Sequence, residues 1–117
     1  MGTAEGTMDI KEDKKGDVLI VTINGRLDAI SSPTAEKHIF ELINKGSHKI
    51  ILELGGVDYL SSAGMRMLLS TTKKLKAISG KIVLCNVTQN VMDVLKMSGF
   101  DHVLAIVKTR DEALKLF

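Results

Sequence analysis

The chain has 117 residues, of which 44% are hydrophobic and only 3% aromatic, and its formal net charge is +2. This length allows one domain with one modest aliphatic core, and the hydrophobic content excludes a disordered chain. The near balance of charge and the scarcity of aromatic side chains argue against duplex DNA or single-stranded nucleic acid as a partner.

Cysteine content and hydropathy bear on the compartment. The single cysteine, Cys85, lies in an apolar run and is best explained as a small buried side chain. It can form no internal disulfide, in agreement with a reducing compartment. No apolar run approaches the roughly 18 residues of a membrane span. We expect a cytoplasmic protein without a membrane partner, with a flexible lead-in at residues 1–7 and one domain over 8–117.

The first part of the domain predicts two strands and a helix. The strands are expected over residues 8–14 and 17–24 and must pair antiparallel, because the turn between them is too short for a crossover. The G-R-L-D run at 25–28 is expected to break the second strand. Ser32 followed by Pro33 predicts the start of a helix, with Ser32 as its capping residue.

The rest of the chain alternates between strand and helix patterns. Strands are expected over residues 48–54, 81–87 and 103–107. Gly55 and Gly56 are expected to turn the chain sharply as it leaves the sheet. An amphipathic helix should run from the serine pair to about Ser79, Thr88 should cap the next helix, and a capping box at 109–112 should open a short last helix.

This alternation predicts the fold class. Strands separated by single helices are typical of an α/β domain with a mainly parallel sheet, here preceded by an N-terminal antiparallel hairpin. Each βα crossover is expected to be right-handed.

Ser61 and Ser62 place two hydroxyl groups where an apolar strand meets a helix. A serine there can cap the helix by accepting one of its first backbone N–H groups. The same position also exposes a hydroxyl on a loop at the rim of the sheet, where functional sites are usually built. The residues alone leave both interpretations open.

Enzymatic alternatives find little support. The residue two before Ser62 is Leu60, so the G-x-S-x-G nucleophile motif is absent, and no histidine is placed to act as a base. Phosphate-binding glycine loops and clusters with metal-ligand spacing are also absent. We expect no enzyme, no cofactor and no metal. A hydroxyl without catalytic machinery suits modification by another protein, because a phosphate at a helix N-terminus changes the surface charge and is tolerated by the helix dipole.

Three motifs in order then carry a family resemblance: G-R-L-D at 25–28, D-Y-L-S-S-A-G-M at 58–65 and M-S-G-F at 97–100. They resemble the signature of the STAS domain, in particular that of the anti-sigma-factor antagonists of bacterial partner-switching systems. Such an antagonist, when unphosphorylated, binds an anti-sigma factor that is also a serine kinase, which frees the sigma factor for transcription. Phosphorylation breaks that complex, and a protein phosphatase restores the antagonist.

The resemblance also implies which residues act. In the family the phosphorylated serine precedes the A/S-G pair. The matching residue here is Ser62, so the resemblance implies that this chain is a phosphoprotein with Ser62 as the acceptor. Ser61 stands where the family commonly has an acidic residue, and is an alternative acceptor. Asp28 matches an acidic residue on the partner-facing surface and is expected to matter for binding and little for folding. The implied partner-binding residues are Asp28, Ser61, Ser62, Ala63, Gly64 and Met65.

A second function remains open at this point. STAS domains also serve as non-switching adaptor subunits of transport or stress-signalling complexes. In that case the serine pair would only cap the helix.

Overall fold

Strands and helices alternate along residues 8–117, the part of the chain that a computed structural model of the protein describes. The elements are β1 (Met8–Lys15), β2 (Val18–Leu27), α1 (Ser31–Asn44), β3 (Lys49–Leu60), α2 (Ser62–Ala77), β4 (Lys81–Cys85), α3 (Gln89–Met97), a 3₁₀ turn (Phe100–His102) and α4 (Arg110–Leu114). The lead-in predicted at residues 1–7 lies outside the described residues.

The four strands form one mixed sheet in the order β1-β2-β3-β4. The hairpin strands β1 and β2 are antiparallel, from Met8 opposite Gly25 to Lys15 opposite Val18. The β2–β3 and β3–β4 pairs are parallel, as strands joined by single helices must be. The predicted α/β class, with a hairpin leading into a parallel sheet, is confirmed.

The sheet is covered on both faces, which explains the nearly continuous apolar run of β2. Leu19, Val21 and Ile23 point into the main core, which contains the buried faces of α1, α2 and α3. Their neighbours Val18 and Ile20 point the other way, into a smaller cluster that α4 closes. Successive side chains on a strand alternate between its two faces, so β2 is buried on both faces.

Two strands extend further than the sequence predicts. Strand β2 continues to Leu27, and β3 passes through Gly55 and Gly56 to Leu60, so the glycines do not turn the chain out of the sheet. The pairing continues to Leu27 opposite Leu60, with register irregularities on the way. Gly56 permits a close approach of the two strands, because a Cβ atom there would lie 3.2 Å from the Cβ of Asn24 and closer still to its amide.

The prediction of a strand over residues 103–107 is wrong. Only Ile106 pairs with β4, through a single parallel bridge to Leu84. Strand β4 itself ends at Cys85, two residues earlier than predicted, because Asn86 takes a left-handed φ of 54° and leaves the extended conformation. Residues 103–107 therefore contact β4 only near the carboxyl end of that strand.

Two of the predicted helix caps are also wrong. Ser32 lies inside α1 and its side chain caps nothing. The hydroxyl of Thr88 precedes α3 but donates to the carbonyl of Val57 at 2.7 Å instead of accepting from the helix. The cap of α4 is confirmed, since the Thr109 hydroxyl accepts from the amide of Glu112 at 3.1 Å.

The glycine pair offers a test of the extended β3. Gly56→Ala should destabilise the fold by about 0.5–1.5 kcal/mol, the usual cost of forcing a side chain off its rotamer, because the new methyl group meets the Asn24 side chain. Gly55→Ala is the matched control: its Cβ would lie 3.4 Å from the nearest atom, the Cβ of Asn86, and should cost much less. The measurement is urea unfolding of each variant.

A double variant identifies the cause. Removing the Asn24 amide in Gly56→Ala, Asn24→Ala should recover part of the loss, as expected for residues in contact. Equal unfolding midpoints for the two single glycine variants would contradict the extended strand pairing.

Candidate functional site

Two helices begin where the parallel strands β2 and β3 end. Leu27 and Leu60 are opposite each other at the last position of the pairing. Helix α1 begins four residues after Leu27, and α2 begins two residues after Leu60. The two helix N-termini and the loops that lead into them therefore share the carboxyl edge of the sheet, where ligands of open α/β sheets usually bind.

Ser61 uses its hydroxyl to fix this junction. The backbone N–H and the Oγ of Ser61 both donate to the carbonyl oxygen of Leu27, each at 2.9 Å. The same Oγ accepts from the backbone N–H of Gly64 at 3.2 Å and so caps α2. Donor and acceptor are both engaged, so the capping interpretation of the serine pair applies to Ser61.

Ser62 is the first residue of α2 and its side chain is exposed. Within residues 8–117 its hydroxyl has no hydrogen-bond partner. Adjacent serines thus differ in kind: one is tied into the backbone and the other presents a free hydroxyl at the positive end of a helix.

The next three residues set how closely α2 approaches the strands. Gly64 is buried, and a Cβ there would lie 2.9 Å from the carbonyl oxygen of Leu27 and 2.6 Å from a methyl group of Leu60. Glycine is required because a side chain would push the helix away from the sheet. Ala63 and Met65 are half-buried on either side, and the Met65 sulfur lies 3.5 Å from the Ser98 hydroxyl at the end of α3.

Asp28 caps the other helix. Its Oδ1 accepts from the backbone N–H groups of Ile30 at 3.0 Å and Ser31 at 2.8 Å. Ser31 reciprocates, because its Oγ accepts from the Asp28 backbone N–H at 3.0 Å and donates to the carbonyl of Arg26. These bonds, chiefly the one from the Ser31 amide, hold the pKa of the Asp28 carboxyl below its ordinary value of 3.8.

This reciprocal pair corrects the expectation that Asp28 contributes little to folding. The Ser32-Pro33 pair predicts a cap at Ser32, whereas the residue that bonds to Asp28 is the buried Ser31. The signal that could have located the cap is the spacing of Asp28 and Ser31, three residues apart, as in a capping box.

Exposed side chains with apolar surface also lie on the segments around this edge of the sheet, and no sequence motif marks them. Ile30 precedes α1 and is 83% exposed, and Met97 at the end of α3 is 88% exposed. Tyr59, next to the end of β3, is 40% exposed, and the guanidinium carbon of Arg26 lies 4.1 Å from its ring centroid. Ile30, Tyr59, Met97 and Ser62 together define what we call the rim surface.

The groups that could activate a nucleophile lie elsewhere. His38 on α1 contacts Glu12 of β1 at 2.6 Å, and His48 precedes β3 at the end of the strand opposite Ser62. Burial raises the pKa of the Cys85 thiol to about 11, which keeps the thiol protonated at neutral pH.

Among residues 8–117 no group of three or more acidic, histidine or cysteine side chains could hold a metal ion. In the same range no helix has both the length and the hydropathy needed to span a membrane.

The capping role of Asp28 predicts a pH-dependent loss of stability. Asp28→Ala should lower the melting temperature at pH 7, because the first amides of α1 lose their acceptor. A carboxyl whose pKa is lowered by folding stabilises the fold above 3.8 and loses that contribution as the pH falls through its folded pKa. The gap between the wild type and Asp28→Ala should therefore narrow below pH 3.8.

Two controls separate capping from charge. Asp28→Asn retains an acceptor oxygen and should keep most of the stability, whereas Asp58→Ala removes an exposed acid nearby and should cost little. Thermal melts recorded by circular dichroism across this pH range measure both effects. A stability of Asp28→Ala equal to that of the wild type at pH 7 would be inconsistent with the cap.

Comparison with known proteins identifies relatives that share the sequence pattern and the fold of this chain. The chain is 31% identical over 110 residues to BtrV of Bordetella bronchiseptica, which is named as an anti-sigma factor antagonist. The alignment covers 94% of this chain and 95% of the relative. A crystal structure of a Thermotoga maritima protein of the same description superposes with a TM-score of 0.87 at 25% identity, over 91% of this chain and 92% of that one.

The anti-sigma factor antagonist SpoIIAA has the same fold. Its unphosphorylated form superposes with a TM-score of 0.78 at 21% identity, over 91% of this chain and 93% of that one. Its phosphorylated form gives a TM-score of 0.72 at 20% identity, over 92% and 97% of the two chains. The sequence profile of the STAS domain matches residues 9–113, almost the whole of this chain. The chain belongs to the STAS domain family.

Proposed function

We propose that this protein is an anti-sigma-factor antagonist whose partner binding is switched by phosphorylation of Ser62. In the unmodified state it binds an anti-sigma factor that is also a serine kinase, in the cytoplasm, and thereby frees a sigma factor. The observation that carries the proposal is the exposed hydroxyl of Ser62, unpaired within residues 8–117, beside the fully engaged hydroxyl of Ser61. The relatives named as anti-sigma factor antagonists support the class of partner.

Accessibility favours Ser62 over Ser61 as the acceptor. In the kinase reaction the serine hydroxyl oxygen attacks the γ-phosphorus of ATP, the hydroxyl proton is lost and ADP leaves. The kinase must therefore be able to reach this oxygen. Ser61 would first have to give up its bonds to Leu27 and Gly64, which hold the start of α2. Ser62 needs no such rearrangement. A phosphatase then restores the hydroxyl by hydrolysing the phosphate ester.

The rim surface suits a protein partner. Its exposed side chains Ile30, Tyr59 and Met97 provide apolar contact area at the edge of the sheet where Ser62 lies. Fully desolvated aromatic and long apolar groups contribute most of the binding energy in protein interfaces. The low aromatic content and small net charge of the chain favour such a partner over nucleic acid.

Electrostatics then provides the switch. A phosphate adds about −1.5 to −2 charges at pH 7. The helix dipole tolerates this charge at the first residue of α2, so the fold should change little. A partner packed against a neutral hydroxyl must instead accommodate a dianion close to the carboxylate of Asp28, which costs desolvation and repulsion.

Phosphopeptide mapping tests the acceptor. Incubation with ATP and the kinase purified from the native host should label a peptide at Ser62, and Ser62→Ala should abolish the label. Ser70→Ala on the same helix is the matched control and should leave labelling unchanged, because its hydroxyl is bonded to Glu36 and to the backbone. Label that persists at Ser61 in the Ser62→Ala variant would show that Ser61 is the acceptor.

Binding measurements test the switch. Ser62→Asp should weaken binding to the anti-sigma factor at least tenfold, which corresponds to about 1.4 kcal/mol, while Ser62→Ala should bind constitutively. Ser79→Asp makes the same substitution beyond the far end of α2 and should bind like the wild type. Calorimetric titration gives the affinities and circular dichroism checks the fold. If all variants bound equally, Ser62 would not be a switch, and a STAS adaptor without switching would be the better description.

A further inference from the structure

A groove of about 300 Å³ separates the N-terminal halves of α1 and α2, beside Ser62. Ser32 and Glu36 line it from α1, and Ala63, Arg66 and Met67 line it from α2. Ala63 directly follows Ser62 in the chain. The groove therefore opens next to the proposed phosphorylation site, and two charged side chains that lie outside the core, Glu36 and Arg66, line it.

Arg66 is the positive group of this groove. It is exposed and forms no ion pair within residues 8–117. It follows Ser62 by four residues on α2, and side chains at this spacing lie about 5–6 Å apart at their Cβ atoms. A guanidinium presents two parallel N–H donors that match the oxygens of a phosphate. An arginine side chain at this spacing can reach a phosphate on Ser62.

Ser32 provides a second, independent indication that an acceptor enters the groove. It is 1% exposed, and its Oγ has no hydrogen-bond partner among the described residues. A buried hydroxyl without a partner is costly and uncommon, so it points to an oxygen supplied from outside.

The acidic groups near the groove are already engaged. Glu36 accepts a hydrogen bond from the hydroxyl of Ser70, one turn beyond Arg66 on α2. The Oδ1 of Asp28 accepts hydrogen bonds from the backbone N–H groups of Ile30, just before α1, and of Ser31, its first residue. Both carboxylates would repel a phosphate, whereas Arg66 would attract it, and Arg66 lies on the same helix as Ser62.

We propose that Arg66 and the hydroxyl of Ser32 hold the phosphate once Ser62 is phosphorylated. The inference rests on the proposed function, because it describes the state that modification of Ser62 creates. Arg66 donates to two phosphate oxygens, the first amides of α2 face the same group, and the Ser32 hydroxyl donates from the floor of the groove. Held in this way, the phosphate has a fixed position between the two helices, and the Arg66 guanidinium offsets its repulsion by the nearby carboxylates.

The test uses the full chain with phosphoserine incorporated at position 62 during translation, so that no kinase is needed. Titration followed by ³¹P NMR gives the pKa of the second phosphate proton, ordinarily about 6. A nearby cation favours the dianion and lowers this pKa. Arg66→Met should raise it, with at least an approximately twofold increase in proton affinity, the size expected for one ion pair at this helical spacing.

Two further variants make the result specific. Lys73→Met removes the same charge about 10 Å further along α2 and should leave the pKa unchanged. Ser32→Ala should raise it. An unchanged pKa in Arg66→Met, or an equal rise in Lys73→Met, would overturn the contact with Arg66, and an unchanged pKa in Ser32→Ala would overturn the role of Ser32. Because the phosphoserine is installed directly, these outcomes do not depend on whether a kinase labels Ser62.

Discussion

The carbonyl oxygen of Leu27 is the contact on which the site depends. It accepts both the backbone N–H and the hydroxyl of Ser61, and so ties the end of β2 to the start of α2. The residue after Leu27 caps α1 through its carboxylate. Two consecutive residues of one strand end thus position the N-termini of both helices, and neither helix can shift along the sheet without breaking these bonds.

This arrangement explains why the two adjacent serines can have separate functions. Ser61 satisfies backbone groups that would otherwise lie unpaired at a buried helix end. Once these are satisfied, the hydroxyl of Ser62 is not required by the fold. A site that is modified reversibly benefits from this separation, because the modified group is not one that holds the helix in place. The close approach at Gly64 serves the same end by keeping α2 against the strand ends.

The opposite face of the sheet is stabilised by a different set of groups. Glu53 in β3 accepts two N–H donors of Arg110 from α4 and one from Asn86 after β4. The carboxylate of Glu53 raises the pKa of Arg110, as expected for a paired cation. Glu53 is seven residues before Leu60, about 20 Å along an extended strand. The bond from Arg110 therefore attaches α4 to β3 well before the strand end at which Ser62 lies.

Local sequence patterns determined much of this protein. The spacing of apolar residues located the helices and most of the strands, because one buried face requires a fixed period. The strand-to-helix junction at Ser61 and Ser62 was equally clear, since a hydroxyl before an amphipathic helix is a local signal.

Tertiary contacts decided the rest. Gly55 and Gly56 look like a turn in the sequence, yet they lie in β3 because β2 continues beside them as a pairing partner. Only one bridge joins Ile106 to β4, which ends at Cys85, so an apolar run that resembles a strand does not become one. The groove between Ser32 and Arg66 depends on two helices that are distant in sequence. Such features arise from which groups meet in space, and no local pattern records that.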